Sequence, residues 1–197
     1  MRKLLQELFN RLGINSTITD YLEAITYVLI IVLIALIFWM IVKRLFRLIF
    51  SNISKRTKSK FDDFLIKNKI PETLSLFPPL LLLMGLLPQF LKSFPLIEKP
   101  VISLLEVFST IVSIILVRRL LNSFKDFFKT LENFKNKPID SYIQVVMIFV
   151  WFIGIMFIFS ILSGKDIGTF LATLGALSAV IILIFKDSIL GFVASIQ

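Results

Sequence analysis

The chain has 197 residues, 57% of them hydrophobic, and a mean hydropathy of +0.90. Soluble domains run at about 45–50% apolar, so a water-soluble fold is excluded and the class is an all-α membrane protein. A net charge of +9 in such a chain marks cytoplasmic loops and not nucleic-acid binding, and the lack of Cys and His removes disulfides, thiolate nucleophiles, His metal ligands and imidazole bases.

Residues 1–20 open with MRKLLQELFNRLG. Glu7 and Arg11 break any signal-peptide core. Leu4, Leu5, Leu8, Phe9 and Leu12 recur at helical spacing opposite Arg2, Lys3, Glu7 and Arg11, which predicts an amphipathic helix on the membrane surface or against a neighbouring helix.

Five windows are long and apolar enough to cross a bilayer, which takes about 20 residues each. Residues 24–42 form the first, preceded by the cap-like TITD of Thr17 to Asp20. Residues 73–91 form the second, with Pro78, Pro79 and Pro88 as expected kinks. Residues 100–117 form the third, with Pro100 in the expected first turn and Glu106 inside. A re-entrant hairpin made from the second and third is the alternative. Residues 141–164 form the fourth, with Asp140 as its expected N-cap, and residues 167–185 the fifth, capped by Asp166 across the short turn SGKD.

Lys and Arg sort by side. The loop between the first two spans carries nine, the loop between the third and fourth six, and Lys186 one more, against six on the other side. Basic loops stay in the cytoplasm, so the N-terminus is expected outside and Gln197 at the inner side. Both basic loops carry aromatic and aliphatic residues at helical intervals, among them Phe124, Phe127, Phe128, Leu131 and Phe134. They read as helical extensions beside the membrane, where anionic lipid headgroups or plain solvent are equally good surroundings.

Ser103, Glu106, Thr110 and Ser113 share a face of the third span. The favoured reading is that Glu106 reaches the outer interface and the hydroxyls bond back to their own helix. Trp39 and Trp151 read as interfacial or packing aromatics. There is no HExxH motif and no pair of intramembrane aspartates, so no enzyme, metal or cofactor is expected.

The first and fourth spans are built from bulky residues; the fifth is not. Gly168, Ala172, Gly175, Ala176 and Ala179 recur by three and four and make one stripe on a helix. Small stripes let helices approach closely. The stripe alone is compatible with tight packing in one bundle, with a ring of identical helices around a pore, or with a substrate path in a transporter. Lys186 and Asp187 then mark the cytoplasmic edge, and Ser188 and Gly191 permit a bend before ILGFVASI.

LATLGALSAVIILIFKDSILGFVASIQ, about thirty residues, resembles the pore-helix signature of the small-conductance mechanosensitive channel (MscS) family, and FKDSILGFVASIQ resembles its five-span branch. The resemblance implies a homo-oligomer, heptameric in the family, in a bacterial inner membrane. It implies opening by membrane tension and release of small solutes and ions under hypo-osmotic stress. It places the apolar constriction at Leu183 and Ala179, with Ile182 as a neighbour able to contribute, and the kink and interface at Lys186, Asp187 and Gly191. Asp187 stands where better-known members carry a kink Gly, which shifts the expected bend to Gly191. The family continues into a cytoplasmic domain, so residues 166–197 are expected to lead into one beyond Gln197. Residues 21–165 then act as outer, lipid-coupled helices, with membrane lipids and other copies of the chain as partners. The alternative from another class is a non-channel transporter, or an accessory or scaffold subunit of a membrane complex.

Overall fold

Hydrocarbon offers no hydrogen-bond partner to a peptide group, so an apolar segment that crosses it must pair its own backbone. In a computed structural model the described residues are 16–56, 61–134 and 137–196, and they contain helices and turns with no strand. The helices are α1 (Ser16–Arg56), α2 (Phe61–Lys67), α3 (Ile70–Leu74), α4 (Phe77–Leu91), α5 (Pro95–Phe128), α6 (Ile139–Ser163) and α7 (Ile167–Ile196), with a 3-10 turn at Glu132–Phe134. Five segments are long and apolar enough to span a membrane: Tyr21–Ser54, Ile70–Leu91, Pro95–Phe128, Ile139–Ser163 and Ile167–Ser195. The chain is thus a multi-pass membrane protein by length and composition. The amphipathic segment expected at the N-terminus falls, through residue 15, outside the described residues.

Several helix ends differ from the sequence expectation. Helix α1 is already running at Ser16, so Thr17 to Asp20 lie inside it and do not cap it. Its 41 residues extend about 61 Å at 1.5 Å each, twice the hydrocarbon thickness. Hydropathy marks where lipid ends; the backbone has no reason to stop there. Helix α5 behaves the same way. It starts at Pro95, with Phe94 as the flanking residue, and Pro100 sits inside the helix instead of in its first turn. The second span is two pieces, α3 and α4. Pro78 and Pro79 stand in the first turn of α4, where a missing N–H costs nothing, and only Pro88 is internal. Helix α6 begins at Ile139, so Asp140 belongs to its first turn. Its carboxylate pairs with Lys129 at 2.5 Å and Lys125 at 3.3 Å, tying the start of α6 to the end of α5.

The chain divides into two compact units, Met1–Gly154 and Ile155–Gln197. In the first, α1, α4 and α5 pack around Ala24, Ile31, Leu87, Leu91 and Phe94. Val28, Leu83, Ile97, Val101 and Leu105 complete that core. The spacings by three and four put each helix's contributions on one stripe. Between apolar helices in lipid the gain comes from close van der Waals fit, and Ala24 and Ala35, both buried on α1, allow that approach. Glu23 is fully buried beside them and accepts a hydrogen bond from the Tyr27 hydroxyl at 2.8 Å.

Helices α2 and α3 turn the long loop back onto the ends of α1 and α5. Lys69 joins them in the left-handed conformation, φ 58° and ψ 34°, a strained choice for a residue with a Cβ. The Arg119 guanidinium, from α5, donates to the Lys69 carbonyl at 2.8 Å and to the Thr73 hydroxyl. Ser123 donates to the Phe64 carbonyl at 3.1 Å, and Lys67 pairs with Asp126 at 3.2 Å. On α1, Arg47 pairs with Glu72 at 3.1 Å. Phe61 meets Phe124 at 5.1 Å and Phe127 at 5.4 Å, and Phe128 meets Phe134 at 5.3 Å. The periodic phenylalanines of the basic loops thus cluster with one another. On α5, Thr110 and Ser113 donate back to the carbonyls of Glu106 and Ser109, as expected of hydroxyls on an apolar helix.

Candidate functional site

The second unit is the end of α6, a tight turn and α7. Gly164 reverses the chain at φ +67°, the left-handed region where a side chain is strained. Its amide donates to the Ser160 carbonyl at 2.9 Å, closing α6. The Asp166 carboxylate accepts the Gly168 amide at 2.8 Å, so the N-cap read from the sequence is present. Phe159 and Phe170 meet edge-on at 4.8 Å across the turn. The start of α7 is therefore held by a cap, a glycine turn and a ring pair.

From Ile167 to Phe185 the helix covers about 28 Å, close to the hydrocarbon thickness. Lys186 and Asp187 follow directly, and neither forms an ion pair with the described residues. The segment after them continues the same helix: α7 is unbroken through Lys186, Asp187 and Gly191 to Ile196.

The side chains of this site can be placed one by one. At about 100° per residue, Gly168, Ala172, Gly175, Ala176 and Ala179 share an arc of about 100°, and Leu183 and Lys186 lie within it. Leu174, Leu177 and Ile181 occupy the opposite face. Every residue from Leu171 to Ser195 is exposed, with Leu183 at 71%.

The glycines are not equivalent. A Cβ on Gly168 would meet the Asp166 carboxylate at 2.6 Å, so the cap alone requires its smallness. A Cβ on Gly175 or Gly191 would meet nothing within 4 Å. Their lack of a side chain has no cause inside the described chain. Gly154 on α6 is the contrast. A Cβ there would meet Ile114 Cδ1 at 2.3 Å, and both residues are buried. The bulky composition of the fourth span hid this contact, which one glycine in an apolar run could have signalled. The pairing of Arg119 with the Lys69 carbonyl leaves no local signal, since the two lie 50 residues apart.

Compared with known proteins, the chain matches no family model, no curated protein and no solved structure.

Proposed function

We propose that the chain assembles into a homo-oligomeric channel of a bacterial inner membrane, opened by membrane tension and passing small solutes and ions under hypo-osmotic stress. The N-terminus lies outside and the C-terminus in the cytoplasm. The small face of α7 packs against copies of itself around a water-filled axis, and seven copies follow from the resemblance to the small-conductance mechanosensitive channels. The observation that carries this reading is the exposed small face, where a Cβ added at Gly175 meets nothing within 4 Å among the described residues. Lipid tails gain nothing from a row of small residues, whereas another helix does.

The mechanism follows from the same face. Leu183 and Ala179 narrow the axis one turn apart, and an apolar constriction blocks ions by shedding water. Lys186 and Asp187 hold this part of α7 at the cytoplasmic interface, and Gly191, where the helix of the single chain runs on unbroken, is where the assembled protomer bends its last segment aside. Bulky outer residues of α1 and α6 couple the protomers to lipid. Tension favours the state of larger area, which tilts α7, widens the ring and rewets it.

Patch recording under suction tests this. The chain gives a weakly selective, tension-gated current, and Leu183→Ser opens at lower tension because a polar ring holds water. Absence of current at any tension, or solute-coupled flux in its place, contradicts the proposal and favours a transporter or scaffold.

A further inference from the structure

A cleft lies where α2, α3 and α5 meet. It has a volume of about 360 Å³ and is edged by Lys67, Lys69, Arg118 and Arg119, with the amides of Asn68 and Asn122 beside them. One carboxylate, Asp126, touches this group, and it is occupied by Lys67 at 3.2 Å and Asn68 at 3.3 Å. Arg119 is spent on the Lys69 carbonyl and Thr73. Lys69 and Arg118 are exposed and have no ion-pair partner among the described residues. The fold therefore brings two unneutralised cations to one concave surface, with the Asn122 amide and two paired cations beside them; the Asn68 amide is spent on the Phe64 carbonyl and Asp126. Such an arrangement attracts a phosphate group, which accepts several hydrogen bonds and carries the opposite charge.

The depth of the cleft selects the source of that phosphate. From Val101 to Val117, α5 carries one charge, Glu106; Arg118 and Arg119 are the first cations after it. They stand where an apolar span meets the headgroup layer. Ile115, one turn nearer the span and exposed, lines the same cleft and offers an apolar edge to the start of an acyl chain. The side is also the one with the larger share of Lys and Arg, and basic pockets between spans on that side suit anionic headgroups.

We propose that this cleft is a binding site for the phosphate headgroup of an anionic membrane lipid, with Lys69 and Arg118 as its principal ligands. Arg119 has a different part: it fixes the α2–α3 turn so that Lys69 faces Arg118 across the cleft. The site is independent of the pore reading, since it requires neither assembly nor conduction.

The test uses the full chain in nanodiscs of phosphatidylcholine mixed with phosphatidylglycerol, with retained lipids counted by native mass spectrometry. One cation near an anionic surface is worth about fivefold in binding, so Lys69→Gln with Arg118→Gln lowers phosphatidylglycerol retention by roughly twenty- to thirtyfold. Lys92→Gln with Lys99→Gln removes the same charge at the other end of the bundle and leaves retention unchanged. The exchange Lys69→Arg with Arg118→Lys keeps the charge and restores it. Thermal unfolding in neutral nanodiscs, equal for all variants, shows that the fold is intact. Retention unchanged in the Gln double variant, or reduced as much by the distant pair, overturns the site. Inorganic phosphate that occupies the cleft in pure phosphatidylcholine as tightly as phosphatidylglycerol does overturns the lipid assignment and makes a soluble anion the occupant.

Discussion

Helices α6 and α7 follow one another across a three-residue turn and are both apolar and largely exposed, yet they solve different problems. Helix α6 presents Phe149, Phe152, Ile155 and Phe159 outward, and its glycine, Gly154, is buried under Ile114. Helix α7 presents glycine and alanine outward. Exposure alone does not separate a lipid-facing helix from one awaiting a protein partner, because lipid covers both. The position of the small residues does. Where this chain hides Gly154, a neighbouring side chain fills the space; on α7 nothing among the described residues lies within 4 Å of a Cβ added at Gly175.

The most disruptive substitutions lie on α7. Gly175→Leu with Ala176→Leu puts bulk on the small face, at a position where an added Cβ meets nothing within 4 Å among the described residues. The expected outcome is loss of the oligomer, read by cross-linking in lipid, with helicity and protomer unfolding unchanged. An oligomer that survives makes the small face a passive feature.

The mirror experiment on α6 is smaller and of the opposite kind. Gly154→Leu drives a side chain into Ile114, and overpacking of this sort costs about 1–3 kcal/mol. Protomer stability falls in denaturant titration while assembly through α7 persists, and Ile114→Ala recovers much of the loss.

A comparable effect is expected at the turn between α2 and α3. Arg119→Ala leaves the Lys69 carbonyl without its charged donor, and hydrogen bonds to charged groups are worth about 1.5–3 kcal/mol. Faster amide exchange at residues 61–74, with α7 unaffected, is the outcome that fits. The smallest effect belongs to Gly168→Ala, which crowds the Asp166 cap and costs about 1 kcal/mol of local stability. It frays the start of α7 without dissolving the assembly, which separates Gly168, the glycine of α7 explained inside the protomer, from Gly175.

Much of the architecture is legible in the sequence because lipid imposes a coarse rule that charge-free windows obey. The five spans follow from it, as does the Asp166 cap, a local device three residues across. What the sequence hides is of two kinds. Helix ends ignore the membrane boundary, so α1 and α5 overrun their apolar windows and Thr17, Asp20 and Pro100 fall inside helices. Contacts between distant segments leave no periodic trace: Arg119 reaches back to Thr73, Ser123 to Phe64, and Gly154 to Ile114. The cationic cleft is built from that second kind, which is why its residues read only as a basic loop. The small stripe is the reverse case, plain in the sequence and unpartnered within the described chain.

The absence of cysteine from the chain makes one measurement decisive. Single cysteines are placed along α7 in membranes and oxidised: Ala172→Cys, Gly175→Cys, Ala176→Cys and Ala179→Cys on the small face, Leu174→Cys, Leu177→Cys and Ile181→Cys on the other. The account predicts disulfide-linked dimers from the small face and monomers from the bulky one. Monomers throughout, or dimers from the bulky face alone, contradict it.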